Sequence, residues 1–128
     1  MTTFNMDIKA KYKYHFRPEF GSDNLLIEIF SGVESVNFLT DLLNAIAEIN
    51  PKLIDLKDLW MNDEIILEMQ SDIGDFTLSK DIWDIAFIMT KDNQQGLNII
   101  NSILLEDERF EKVEVNFDDY RTVKNASC

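Results

Sequence analysis

The sequence predicts an α+β fold, in which an antiparallel or mixed sheet carries two helices in the order ββ–α–βββ–α–β. Three observations support this prediction. Residues 8–17 alternate between apolar and polar side chains, apolar residues recur at helical spacing over 36–49, and residues 82–90 form a nearly unbroken apolar run. Side chains return to the same face every two residues in a strand and every 3.6 residues in a helix. The two spacings therefore indicate both element types within one chain.

The first strand is predicted over residues 8–17. One face holds apolar side chains, namely Ile8, Ala10, Tyr12, Tyr14 and Phe16. The other face is basic and holds Lys9, Lys11, Lys13, His15 and Arg17. Such alternation is typical of a half-buried strand, so we expect the basic face to be exposed or paired with acids of neighbouring strands. A second apolar run at 25–30 follows a Gly-Ser-Asp turn and predicts a hairpin.

Two helices are predicted from apolar spacing. The first covers about residues 35–50 and ends at Asn50-Pro51, because a residue before proline is pushed out of the α region. Its apolar stripe comprises Val36, Leu39, Leu43, Ile46 and Ala47, widened by Leu42 and Ile49. The second covers about 93–106, capped by Asp92 or Asn93, and Gly96 is expected to weaken its first turn. Its inward side chains are Leu97, Ile100 and Leu104, supported by Ile103.

The remaining elements are strands. Between the helices we predict an alternating strand around 65–69, a short strand at 76–78, and a central strand at 82–90 with Trp83 in the core. A final strand is predicted from the alternation of Val113, Val115 and Phe117. No linker or internal repeat interrupts the chain, so we expect a single domain over residues 1–128, with a tail that frays from about 121.

Residues for nucleophilic and zinc chemistry are scarce. The chain has one histidine, His15, and one cysteine, Cys128. His15 lies on the lysine-bearing face of the first strand, where a solvent-facing histidine is expected rather than a general base. A lone cysteine suits a reducing compartment, and neither a signal peptide nor a run of 18 apolar residues is present. These features predict a cytoplasmic protein.

Carboxylates leave metal binding as an alternative. The local candidates for magnesium or calcium are Asp72 with Asp75 and Asp118 with Asp119, but neither pair fits the twelve-residue calcium loop. No Gly-rich loop has the spacing of a phosphate-binding motif. We therefore expect no catalytic residue, no metal and no cofactor, so that the protein is a binding protein rather than an enzyme. A small enzyme that uses paired carboxylates remains an alternative.

The charge balance favours a basic partner. Twelve Lys and Arg residues stand against 24 Asp and Glu, a net charge of −12. Residues 1–17 hold four of the basic residues and one acid, which leaves eight against 23, or −15, in residues 18–128. Such a charge repels nucleic acid and anionic membranes and attracts basic proteins. The competing explanation is solubility alone, with the acids dispersed over solvated surfaces.

The acids concentrate in two stretches, 55–84 and 106–119, with aromatic residues among them. Aromatic anchors inside a charged rim are typical of tight protein interfaces. Trp60 is expected to be partly exposed, and Tyr120 is a second candidate anchor. The predicted partner-binding residues are Asp58, Trp60, Asp63, Glu64, Glu68, Asp72, Asp75, Glu106, Asp107, Glu108, Glu111, Asp118, Asp119 and Tyr120.

In its size, acidity at 55–84 and 106–119, and α+β order, the chain resembles bacterial toxin-immunity proteins of contact-dependent growth-inhibition systems. The resemblance covers the whole chain without a diagnostic motif. It implies a cytoplasmic, stoichiometric inhibitor of a basic, nuclease-type toxin domain, the C-terminal part of a secreted effector, and a monomer is favoured. The alternatives are an acidic adaptor and a homodimer built on the basic face of the first strand.

Overall fold

The computed structural model describes residues 10–59 and 64–121, and it confirms the α+β class. The strands are β1 (Tyr12–Pro18), β2 (Leu25–Ser31), β3 (Lys52–Leu59), β4 (Glu64–Gln70), β5 (Phe76–Lys80), β6 (Ala86–Met89) and β7 (Phe110–Lys112). The helices are α1 (Phe38–Ala45), α2 (Gln94–Leu105) and the short α3 (Asp118–Arg121), with a 3-10 turn at Ala47–Ile49. The order therefore contains one strand more than predicted between the two main helices.

The strands form one mixed sheet in the order β3–β4–β5–β6–β2–β1–β7. Neighbours are antiparallel except β1 and β7, which are parallel. The predicted hairpin of β1 and β2 is present, with Tyr14 opposite Ile29 and Phe16 opposite Ile27. The central position predicted for the apolar run at 82–90 is also confirmed, because β6 is the fourth of the seven strands.

The hydrophobic core lies on one face of the sheet. Cross-strand partners on this face form a continuous buried row over five strands, namely Phe16, Ile27, Ile88, Leu78 and Leu67. Both main helices pack on it, α2 through Leu97, Ile100 and Leu104 as predicted, with Ile103 partly buried. The inward face of β1 is confirmed, since Tyr12, Tyr14 and Phe16 are buried.

The basic face of β1 is exposed only in part. Lys11 and Lys13 are exposed, whereas Arg17 is buried and pairs with Glu28 on the neighbouring β2 through a contact of 2.6 Å. Lys9 and Ile8 lie outside the described residues. The prediction of exposure or pairing with an acid of a neighbouring strand therefore holds for Lys11, Lys13 and Arg17, whereas His15 is half-buried and lies against a backbone carbonyl.

The predicted stripe of the first helix is confirmed in part, because four of its seven residues are buried or partly buried, namely Leu42, Leu43, Ile46 and Ile49. Val36 precedes the helix and is 96% exposed, and Leu39 and Ala47 are also exposed. The buried residues are Phe38, Leu42, Ile46 and Ile49. The helix begins only at Phe38, so its core contacts follow i, i+4 spacing from that residue,.

Two predicted strands have different limits. Residues 82–85 form a turn rather than strand, because the Asp81 carboxylate accepts the backbone N–H groups of Trp83 and Ile85. Trp83 is consequently 74% exposed, which corrects its assignment to the core. The last strand is Phe110–Lys112 rather than 113–117. Val113 N–H still donates to the Tyr14 carbonyl at 2.8 Å, and the regular pairing with β1 goes no further. The tail from residue 122 lies outside the described residues.

β3 was not predicted as a strand. Its sequence, KLIDLKDL, lacks clean alternation, and all eight residues are exposed. A bulge between Leu53 and Asp55 shifts the register against β4. An edge strand that is solvated on both faces needs no apolar face, so the usual periodic signal is absent.

Candidate functional site

The two acidic stretches lie in different parts of the sheet. The first runs from β3 at one edge through β4 and β5 to the β5–β6 turn, and the second surrounds β7 at the opposite edge and α3. Six strand spacings of about 4.8 Å separate β3 from β7, roughly 29 Å, and three separate β6 from β7, roughly 14 Å,. Each stretch therefore has to be considered by itself.

An open cleft lies at the ends of the central strands β5 and β6, between the β4–β5 turn and the loop from β6 to α2. Its volume is about 660 Å³. The lining residues are Glu68, Gly74, Asp75, Phe76, Thr77, Thr90, Lys91, Asp92 and Asn93. We call this feature the acidic cleft, because three of its side chains are carboxylates and one is a lysine. Glu68 and Asp75 were predicted from the sequence, whereas Asp92 had been considered only as a helix cap.

Asn93 joins the two walls of the acidic cleft. Its Nδ2 donates to the carbonyl of Ile73 in the β4–β5 turn at 2.6 Å, and its Oδ1 accepts from Gly96 N–H at 3.0 Å, which caps α2. Gly74 has φ +109° and packs against the same amide. A side chain at either glycine would overlap with Asn93, so both positions permit a close approach that holds the walls together,.

The carboxylates of the acidic cleft are available to a ligand. Glu68 Oε1 accepts a hydrogen bond of 2.7 Å from Thr77 Oγ1, which orients it and leaves its second oxygen as a further acceptor,. Asp75 and Asp92 are exposed, and neither makes a hydrogen bond or ion pair with another described residue. Ionised carboxylates of this kind accept charge-assisted hydrogen bonds from ammonium and guanidinium groups.

The other predicted residues of the first acidic stretch have different surroundings. Asp72 accepts a hydrogen bond of 2.6 Å from Asn50 Nδ2, which ties the β4–β5 turn to the end of the 3-10 turn. Asp58 and Glu64 lie at the far end of the β3–β4 hairpin from the acidic cleft. Trp60 and Asp63 were predicted to contact the partner, but both lie outside the described residues.

At the opposite edge, Asp107 stabilises the fold. Arg109 donates to both oxygens of Asp107, at 3.0 and 2.8 Å, and these hydrogen bonds hold the pKa of Asp107 below its usual value. Arg109 also lies 3.5 Å from Asp41. Asp41 accepts hydrogen bonds from the Tyr12 hydroxyl at 2.6 Å and from Lys11 at 3.0 Å, and mainly the Tyr12 bond lowers the pKa of Asp41. Glu106, Glu108 and Glu111 are exposed nearby.

Tyr120 packs within the protein. Its ring lies 5.0 Å from that of Phe20 and 4.7 Å from the Arg17 guanidinium, so α3 covers one end of the sheet face opposite the helices. Arg17 is thus enclosed by aromatic rings, with Glu28 as its ion partner. Asp118 and Asp119 are exposed on α3. Sequence reasoning missed this cluster, because an arginine on a lysine-bearing strand face carries no local signal of burial.

His15 is half-buried rather than solvent-facing. Its ring stacks on Phe30 at 4.3 Å, and Nδ1 lies 2.9 Å from the carbonyl oxygen of Val113. A carbonyl only accepts, so Nδ1 carries the proton. The histidine therefore joins β1 to the segment that follows β7.

Comparisons with known proteins give no relative. A scan against protein-family models found no match, and searches of curated proteins and of solved structures also found none. Among residues 10–59 and 64–121, no group of three His, Cys, Asp or Glu side chains is arranged to hold a metal ion. Within the same ranges, none of the helices has the length and apolar character needed to cross a bilayer.

Proposed function

We propose that this protein is a non-catalytic binding protein that inhibits a basic, nuclease-type toxin domain by stoichiometric binding, as an immunity protein does. The acidic cleft carries this proposal. It places Glu68, Asp75 and Asp92 around one opening, in a chain whose net charge is −12. An exposed lysine or arginine of a basic domain is the side chain that such an opening accommodates.

Two electrostatic effects act at different ranges. The net charge of the whole chain attracts a basic partner beyond the Debye length of about 8 Å and raises the association rate. The carboxylates of the acidic cleft act after contact, because a partner cation that enters loses water and gains charge-assisted hydrogen bonds. A toxin whose substrate-binding surface is held in this way cannot contact its phosphate-bearing substrate.

The acidic cleft is a better docking site than the β7 edge. Asp107 is already bonded to Arg109, and Tyr120 is packed against Phe20 and Arg17. Using either residue for a partner would break contacts within the fold. Glu106, Glu108 and Glu111 are exposed, and we assign them to long-range attraction rather than to contact.

The test uses a basic nuclease-type domain, to be sought as the C-terminal part of a secreted protein in the reading frame immediately upstream. Isothermal titration calorimetry with the purified domain should give one-to-one binding, and the complex should lose the domain's nuclease activity. Replacing the three acids of the acidic cleft, as Glu68→Gln/Asp75→Asn/Asp92→Asn, should weaken binding at least about thirtyfold, the equivalent of one interface hot spot. Binding at full strength by this variant would contradict the proposal.

A matched control removes the same charge elsewhere. The triple variant Glu106→Gln/Glu108→Gln/Glu111→Gln also raises the net charge by three units, but at the β7 edge of the sheet, three strands away from β6. It should retain inhibition and affinity within a few-fold at physiological salt, since exposed rim charges contribute little. A larger loss in this variant than in the cleft variant would place the contact at the β7 edge.

A further inference from the structure

β3 is an edge strand with an open outer side. It spans the eight residues Lys52–Leu59, pairs with β4 on its inner side, and has no strand on its outer side within residues 10–59 and 64–121. Its outward N–H and C=O groups form a template for another strand. Natural sheets protect such an edge with charges, prolines or bulges. The bulge of β3 is near one end, between Leu53 and Asp55, so residues 55–59 remain regularly paired with β4 and open on the outer side,.

The composition of β3 differs from that of the rest of the chain. Its charged residues are Lys52, Asp55, Lys57 and Asp58, which cancel in a chain of net charge −12. Apolar side chains are exposed here, with Leu53 and Leu56 51% and 52% exposed. A neutral, apolar strand does not suit a strongly basic partner, but it lowers the repulsion between two copies at the place where they would meet.

We propose that β3 pairs antiparallel with β3 of a second copy, so that the two sheets join edge to edge. When two identical strands pair antiparallel about a two-fold axis perpendicular to the sheet, one residue lies opposite the same residue of the second copy. The axis passes midway between these two residues. An axis at Asp55 or Lys57 would oppose like charges. An axis at Leu56 places Leu56 against Leu56 and Asp55 opposite Lys57 of the second copy, twice in the dimer.

The surroundings of both charges within one chain agree with this register. Asp55 lies opposite Glu68 on β4, an unfavourable pair of like charges, and Lys57 lies opposite Ile66,. Neither Asp55 nor Lys57 forms an ion pair with another described residue. Lys57 of a second copy would bring a cation next to Asp55, so each chain supplies the charge that the other lacks.

The dimer is expected to be weak. One strand from each copy buries less than a standard interface of about 1,600 Å². The dissociation constant should therefore be about 10–100 μM, and the mass should rise from one chain to two with protein concentration. Sedimentation equilibrium from about 5 to 500 μM covers this range. A monomer throughout would overturn the proposal.

Charge reversal tests the register without disturbing the core, because positions 55 and 57 are exposed. Asp55→Lys and Lys57→Asp should each weaken self-association about tenfold or more. Each substitution places like charges at positions 55 and 57 opposite each other, and this contact occurs twice in the dimer. An equimolar mixture of the two variants should form a heterodimer, and the double variant Asp55→Lys/Lys57→Asp should dimerise again. Glu108→Lys changes the net charge by the same two units as Asp55→Lys and should dimerise like the native chain.

Three results would overturn the proposal. Dimerisation that persists in both single variants would place the interface elsewhere. Two single variants that fail to associate when mixed would exclude the Asp55–Lys57 contact. A loss of dimer in Glu108→Lys equal to that in Asp55→Lys would mean that net charge, rather than this strand pairing, controls association.

Discussion

At the level of single residues, Asn93 supports both the fold and the acidic cleft. One side-chain amide caps α2 through Gly96 N–H and holds the β4–β5 turn through the carbonyl of Ile73. The sequence indicated the cap, because Asn is a preferred N-cap residue. It did not indicate the second bond, because the carbonyl of Ile73 belongs to a distant turn. The expected weakness at Gly96 is instead a requirement for close packing.

This packing predicts that Gly96→Ala destabilises the protein, although alanine normally favours a helix over glycine by up to about 1 kcal/mol. The new methyl group would displace the Asn93 side chain. This displacement would remove the helix cap and leave the Ile73 carbonyl without its hydrogen bond from Asn93. We expect a net loss of about 1–2 kcal/mol in the free energy of unfolding, measured by urea denaturation. In an Asn93→Ala background the same change should stabilise. If the effects of Gly96→Ala and Asn93→Ala on the free energy of unfolding are additive, the two residues are not coupled and the prediction is wrong.

Asp41 gives a prediction about pH. Its pKa is held below the ordinary value of 3.8, chiefly by the Tyr12 hydroxyl and then by Lys11. A carboxylate with a lowered folded-state pKa contributes stability above its unfolded value, and loses it as pH falls through the folded value. Tyr12→Phe should therefore raise the pKa of Asp41 toward 3.8. It should also reduce the part of the unfolding free energy that is lost as the pH falls. A carboxyl-carbon NMR titration measures the shift directly.

Tyr14→Phe is the matched control for this prediction. Burial raises the pKa of Tyr14, and its hydroxyl donates to Asn101 Oδ1 at 2.9 Å rather than to an acid. The variant should leave the pKa of Asp41 unchanged. An equal shift in both variants would mean that loss of a buried hydroxyl, and not the Tyr12–Asp41 hydrogen bond, controls this carboxylate.

At the level of elements, sequence patterns predicted those that bury one face. β1 and α2 each present a regular apolar stripe, and their inward residues are as predicted. β3 has no buried face, so nothing in its pattern distinguished it from a loop. The turn at 82–85 lies inside an apolar run, and it depends on hydrogen bonds from the Asp81 side chain that periodicity does not reveal,.

The phase of α1 allows a direct mutational test. Leu42 is buried and Leu39 is 36% exposed, although the two residues are three apart on the same helix. Leu42→Ala should cost about 2–5 kcal/mol of unfolding free energy, as expected for a buried leucine, and Leu39→Ala about 1 kcal/mol or less. Thermal and urea unfolding of the two variants measure the difference. Equal losses would contradict the observed phase of the helix.

At the level of the whole molecule, strand order determines what the acids can do. The sequence predicts partner-binding residues in both acidic stretches, but the sheet places β3 of the first stretch and β7 of the second at opposite edges. Strand order depends on pairings between distant segments, so neither composition nor local periodicity predicts it. The net charge still acts as one long-range field, while Glu68, Asp75 and Asp92 line one open cleft.

We propose that the acidic cleft makes the contact with the partner and that the remaining acids provide long-range attraction. Stopped-flow mixing with the basic domain, at low and at physiological salt, separates these roles. Both triple variants, at the cleft and at the β7 edge, should slow association at low salt by similar factors and flatten its salt dependence. Only the cleft variant should also speed dissociation, by an amount equivalent to at least about 2 kcal/mol. Equal dissociation rates for the two variants, or association that does not respond to salt, would contradict the account.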